Sequence, residues 1–313
     1  MPPELNDLTS QLSLTPLAGL GIPVALIGAV FLAVGAQLQH GGVVAVDRGS
    51  DTEASKGLSL RQLLSLLARP AWVLGTLMLG LAVVFQLTAL YLAPITVVQP
   101  LGAVALVITS IVNARVSKVR LTAPTIRAIA FCIIGVGIFV TIASFTTESK
   151  EVTQLQLVIV LLLLLAITVL FVLAFAFLRK RFKAIIFIVG AGVLYGFVAT
   201  LAKVVIDRIK TLVIAGPDTG GFEWLTALCI VALIAATALG GYFVQTAYSS
   251  GPPDLVIAGL TVIDPIVAVT IGIVVLQEAA GAPWFAAPAF VLAGALAVYG
   301  VFQLAKHHPQ VQG

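Results

Sequence analysis

Charged side chains are scarce in this sequence. They make up 10% of 313 residues, where soluble domains carry about a quarter. That shortage excludes an ordinary soluble fold. Acids number 13 in all, and a dedicated magnesium cage wants several oxygen ligands, commonly carboxylates. The apolar runs supply one deep carboxylate, Asp264, so no metal site is read beyond a role for Asp264 itself. Cysteine is almost absent: Cys132 and Cys229 both fall in apolar runs without metal-ligand spacing, and a buried structural role follows. Catalytic signatures are missing as well. There is no Walker loop, no glycine fingerprint after a strand, no HExxH and no nucleophile elbow. No stretch outside the apolar runs is long enough for a soluble catalytic domain. The chain is therefore read as no enzyme, with no cofactor and no nucleic-acid partner.

What is present is apolar: 60% of residues are hydrophobic and the mean hydropathy is +1.14. Nine runs of roughly 20 apolar residues suit a bilayer, and they are continuous rather than alternating, unlike barrel strands. The spacing predicts spans near 17–39, 71–92, 95–115, 124–145, 155–178, 184–207, 224–248, 254–276 and 282–305. The fold class is an all-α polytopic membrane protein with nine transmembrane helices and membrane lipids around it. The first run has no preceding basic residue and exceeds a signal segment in length, so it is expected to remain as a helix. Proline interrupts the chain at Ala93-Pro94 and Gly251-Pro252-Pro253, and each join reads as a hairpin turn. Leucines at 60, 63, 64 and 67 give 58–69 helical spacing. That segment is either an amphipathic interfacial helix or an extension of the second span. Two charges, Lys203 and Asp264, are read inside the runs.

Basic residues set the orientation. Arg48, Lys56, Arg61, Arg69, Arg115, Lys118, Arg120, Arg179, Lys180, Arg181, Lys183 and Lys306 fall on one side, and Lys150, Arg208 and Lys210 on the other. The richer side is cytoplasmic in the plasma membrane. The 1–16 tail then lies outside and the 306–313 tail inside. The net charge of +4 reads as this topology. Trp72, Trp224 and Trp284 fall at predicted span ends, as interfacial aromatics do.

Thr88-Ala89 with Pro94 recurs as Thr246-Ala247 with Pro252, at a constant offset of 158. Gln86 and Gln245 fall at similar depth. The chain divides into two four-helix repeats, 17–145 and 184–305, with 155–178 as a linker helix. Four spans return the chain to its starting side and the fifth crosses. The second repeat is therefore inverted, a construction for alternating access. Fused halves make a monomer sufficient and leave a homodimer compatible. Gly21, Gly28 and Gly35 recur every seven residues, and Gly192 and Gly196 form a GxxxG. Small faces of this kind let helix backbones approach.

The segment Ala93-Pro94-Ile95-Thr96-Val97-Val98-Gln99-Pro100-Leu101-Gly102-Ala103, followed by a helix and a basic turn, resembles the drug/metabolite transporter superfamily. Its nearest look is the nine-span NIPA-like branch, whose hairpin is similar. Phe31 to Gly42 resembles the superfamily's first helix, and Leu276-Gln277-Glu278 resembles its helix-then-glutamate ending. The likeness runs from about 17 to 305, and the four-span halves look like two fused small multidrug transporters. It implies a transporter and leaves the substrate open. It does not extend to Asp264: NIPA-like members do not characteristically carry an acid there, and small multidrug transporters carry theirs in the first helix.

Asp264 precedes Pro265, which frees a carbonyl one turn back. The pair reads either as a site coupled to protons or a cation, or as a structural acid paired with Lys203. Lys203 has Asp207 one turn on, giving an interfacial ion pair with the lysine snorkelling outward, or it faces a cavity and gates the site. Gln37, Gln86, Gln99, Asn113, Tyr195 and Gln245 supply further polar atoms for substrate or helix packing, and Pro100 and Pro265 are candidate hinges. Three functions follow. The first is a secondary active transporter of a small metabolite or drug-like solute by alternating access. The second is a NIPA-like magnesium transporter. The third is an envelope-lipid or polyprenyl-carrier transport or scaffold factor, with a lateral opening.

Overall fold

The computed structural model describes residues 16–47, 68–116, 120–178, 184–215, 224–250 and 253–306. Among these residues all regular structure is helical, and nine helices are long and apolar enough to cross a membrane. They are α1 (Pro16–Asp47), α2 (Pro70–Leu92), α3 (Ile95–Val116), α4 (Ala123–Thr146), α5 (Gln154–Leu178), α6 (Ala184–Ala215), α7 (Trp224–Ser250), α8 (Pro253–Val274) and α9 (Ala286–Lys306).

Proline sets several boundaries. It opens α2 and α8 and stands near the start of α4, where the missing N–H removes no helical hydrogen bond. Arg69, just before α2, is extended. The 58–69 segment is thus not a continuous extension of the second span, and its residues 58–67 lie outside the described ones. Three helices depart from the expected spans. α1 runs on to Asp47 and α6 to Ala215, because hydropathy marks the apolar stretch and not the helix that continues through polar residues. α9 begins at Ala286 because Pro283 sits in the turns before it. Arg127 is a further charge within a span, exposed about one turn inside α4, where a long side chain reaches the interface.

These helices are apolar on most faces, so small residues rather than an amphipathic stripe decide which sides meet. A Cβ on Gly21, Gly28 or Gly35 of α1 would come within 2.5–3.0 Å of α2 side chain or backbone, or of Ala93 just past its end. Gly192 and Gly196 of α6 meet Ile263 and Val267 of α8 just as closely. Gly135 of α4 faces the backbone of Ala297, and Gly300 of α9 faces that of Cys132, each leaving no room for a methyl group. Cys132 and Cys229 are both buried and unbridged. One side of α5, including Leu155, Leu162, Leu165 and Leu170, is exposed, while Leu157, Val160 and Leu164 are buried.

Packing follows the order of the chain. In the first half α1 packs on α2 and α3, and α3 on α4. In the second half α6 packs on α7 and α8, and α8 on α9. Across the halves α3 meets α8, α4 meets α9, and α2 meets α6. α5 touches α6 and α7 at the edge.

Candidate functional site

Asp264 occupies the middle of α8, with Pro265 directly after it. Its backbone is pressed against α6: a Cβ on Gly196 would lie 3.0 Å from the Asp264 carbonyl oxygen, and one on Gly192 would lie 3.6 Å from its amide nitrogen. The GxxxG of α6 therefore brings the acid into the helix bundle. Asp264 Oδ1 is buried and accepts no hydrogen bond, and it alone is so placed among the described side-chain polar atoms. A buried polar atom left without a partner costs about 1–3 kcal/mol. Tyr195, on α6 between the two glycines, is close enough to interact electrostatically with Asp264, and its ring also packs over Gly240 of α7.

The structure does not join Lys203 to this site. Lys203 lies eight residues beyond Tyr195 on α6, about 12 Å of helix. It is 1% exposed, so it does not snorkel outward as expected. Its ammonium donates to Leu90 O (2.7 Å), Ala93 O (3.2 Å), Ser149 Oγ (2.9 Å) and Asp207 Oδ1 (3.1 Å). The pairing with Asp207 holds, whereas pairing with Asp264 does not occur. Leu90 O is available because residue 94, whose N–H would have bonded to it, is proline.

Glu278 completes the same cluster. It accepts from the Ile95 amide (2.8 Å), the Thr96 amide (2.9 Å) and the Thr96 hydroxyl (2.6 Å). Those amides head α3, where helix geometry leaves them without partners. Gln277 adopts φ 58, turning the chain back after α8 so that Glu278 reaches α3. Gly272 leaves the space, since a Cβ there would meet Ile95 Cγ2 at 2.6 Å and Glu278 Oε2 at 3.0 Å. Burial raises the Glu278 pKa, against the opposing pull of its Thr96 donors, the Lys203 charge and the Ile95 amide. The Ala93–Ala103 hairpin and the Leu276–Glu278 ending thus meet at one place. The glutamate's capping role was missed from sequence, since its partners are 182 and 183 residues away.

The remaining polar candidates are dispersed. Gln99 is buried in the second turn of α3. Gln37 and Gln86 are half-buried and Gln245 is exposed. Asn113, near the other end of α3, is half-buried and has a partner. Gln39 donates to Thr76 Oγ1 of α2. Many hydroxyls, including those of Thr109, Thr200, Thr246 and Thr270, return to the carbonyl four residues back, the satisfied helix-packing arrangement. Pro100 and Pro265 both line an apolar cavity of about 520 Å³ between α3, α4, α8 and α9, whose walls include Phe139, Val269, Phe290 and Val298. Asp264 does not line it. No cluster of three or more metal-ligating side chains occurs among the described residues.

A sequence model of the family described as magnesium transporter NIPA matches residues 17–219, more than half of the chain. The chain belongs to this family. The NIPA match covers α1 to α6, including Lys203, and ends before α8, which carries Asp264, and before the turns that carry Glu278. NIPA membership, with nine helices long and apolar enough to cross a membrane among the described residues, makes this an integral membrane protein for transport of a small solute or ion. The chain is also similar to a protein of Corynebacterium glutamicum described as uncharacterized, at 26% identity over 263 residues, covering 83% of this chain and 85% of that one. No solved structure matches.

Proposed function

We propose that the protein is a secondary transporter that moves a small cation past Asp264 by alternating access, and that hydrated Mg²⁺ is that cation. The buried Asp264 Oδ1 without a hydrogen bond carries this reading. An acid held in mid-membrane without a protein donor suits a passing positive charge. The description of the matching family supplies the ion. Mg²⁺ dehydrates reluctantly and keeps several waters while binding one or two carboxylates. One carboxylate with Tyr195 beside it suits brief capture and release rather than storage. Protons or a second cation would supply coupling. The matched packing of α1–α4 and α6–α9 supports two repeats, taken here as inverted. The distribution of basic residues supports an N-terminus outside and a C-terminus in the cytoplasm. Substrate and lipids suffice as partners for a monomer.

The test is Mg²⁺ flux into liposomes that hold the purified protein and a magnesium-sensitive dye. The wild type is expected to raise uptake above empty liposomes, and Asp264→Asn to lower the initial rate about tenfold, equivalent to about 1.4 kcal/mol. No uptake by the wild type would remove Mg²⁺ as cargo. Equal uptake by a well-folded variant would remove Asp264 from the path.

The apolar cavity favours a second reading, the proton-coupled passage of a metabolite or drug-like solute. Its volume of about 520 Å³ falls within the range of about 300–1,000 Å³ typical of small-molecule sites. The same cavity, walled partly by exposed Ile266, Val274 and Val291, would give an envelope-lipid carrier its lateral opening. Lys203 is too deeply enclosed to meet a lipid phosphate there.

A further inference from the structure

One end of the bundle is tied together by buried charge. Lys203 of α6 holds the carbonyl end of α2 through Leu90 and Ala93, and the segment between α4 and α5 through Ser149. Asp207 binds the same ammonium from one turn along α6. Glu278, from the turns between α8 and α9, closes on the head of α3, and its backbone carbonyl accepts from the Glu148 amide. Lys210 adds a bridge from α6 to α2, its ammonium 4.9 Å from the centre of the Tyr91 ring. Each charge complements the helix end it meets: a cation at the carbonyl terminus of α2 and a carboxylate at the amide terminus of α3.

We propose that Lys203, Asp207 and Glu278 form a latch that seals this end of the protein and must release for cargo to pass. Three observations carry it. The ties cross from the first half of the chain to the second, so the halves cannot part at this end while they hold. The seam is polar where an apolar seam would hold at least as well, since buried ion pairs add little net stability over well-packed apolar residues. What charge adds is reversibility, because ionised groups and freed helix ends can exchange one another for water on opening. The third observation is that the two ends differ. Among the described residues α2 packs on α6, whereas α1 and α7, the corresponding pair with the halves exchanged, are not among the helix pairs in firm contact. The latch rests on the transport reading, but its operation is measurable without any cargo.

Thr200 lies one turn inside Lys203 on α6, fully enclosed, with its hydroxyl bonded to its own helix. Thr200→Cys is therefore a nearly isosteric probe behind the latch, in protein whose buried Cys132 and Cys229 are replaced by alanine. Its reaction with a membrane-impermeant thiol reagent, in Mg²⁺-free buffer, reads the seal. With the latch intact, Thr200→Cys is expected to react at least about tenfold more slowly than a cysteine at exposed Glu151; equal rates overturn the proposal. Lys203→Met and Glu278→Gln are each expected to speed Thr200→Cys labelling about tenfold. Labelling at Ser110, equally buried on α3, should stay slow in both variants. Unchanged Thr200→Cys labelling in either variant, monodisperse by gel filtration, overturns the latch. So does a matching rise at Ser110, which would mark general loosening. Where Lys203→Met does not fold, Glu278→Gln decides, and the comparison with Glu151 needs neither variant. Failed Mg²⁺ flux with latch-dependent labelling would discard the cargo and keep the latch, and the reverse pattern would discard the latch alone.

Discussion

Three side chains carry the functional argument, and each is expensive where it stands. Asp264 was legible in the sequence because a carboxylate within an apolar run is visible without a structure. Lys203 was visible for the same reason, but its partners were not. Three of its four acceptors are two backbone carbonyls and a serine hydroxyl, atoms that no charge pattern reveals. Glu278 stands just past the end of α8 and looked like a family ending, while its targets are amides remote in sequence. Glu278→Ala should leave the first amides of α3 unpaired and the Lys203 cluster short of a negative charge. Loss of a helix cap costs about 0.5–2 kcal/mol, and breaking a buried charge pair costs about 3–5 kcal/mol. The variant is therefore expected to melt well below the wild type in the same detergent, with Glu278→Gln losing less because an amide oxygen still caps one N–H. Equal melting of wild type and Glu278→Ala would show that the cap bears no load.

At the scale of the element, the helices were largely readable and their contacts only partly so. Runs of apolar residues and interrupting prolines located α2, α3, α4, α5, α7 and α8 to within about two residues. The glycine repeats of α1 and α6 announced close packing without naming partners. The structure gives unlike ones: α1 uses its glycines against α2, whereas α6 uses them against α8. Gly135 and Gly300 were not singled out at all, because a lone small residue carries no period to notice. They nevertheless bring α4 and α9 into backbone contact. Gly135→Ala should force those helices apart and cost about 1–3 kcal/mol. Gly137→Ala, two residues on, meets nothing within 4 Å and should be neutral or stabilising by up to about 1 kcal/mol. Thermal melting of the two variants side by side checks the contact. A Gly135→Ala protein as stable as Gly137→Ala would mean that α4 and α9 do not approach so closely.

At the scale of the molecule, nine spans were legible because each must carry enough apolar surface to cross a bilayer on its own. The arrangement of the spans was not legible, since lipid-facing and helix-facing residues are almost equally apolar. The offset of 158 between Thr88-Ala89 and Thr246-Ala247 was the one long-range signal. Both threonines bond to the carbonyl four residues back, and both alanines are fully enclosed. The orientation proposed from the basic residues makes a direct prediction. A fluorescent protein fused after Gly313 should fluoresce, and alkaline phosphatase fused in the 147–153 segment should be active. The opposite pattern would reverse the molecule in the membrane. The latch would then face the cytoplasm, with its chemistry unchanged.

The missing N–H of Pro94 reaches further than the hairpin it terminates. Any other residue at 94 restores a hydrogen that competes with Lys203 for the Leu90 carbonyl, and the lysine then has one fewer reason to remain in so costly a place. Pro94 and Lys203, 109 positions apart in the chain, therefore act on one and the same carbonyl. Among relatives the two should be kept or lost together, and a branch that holds the buried lysine after losing the proline must offer the ammonium another oxygen in its stead.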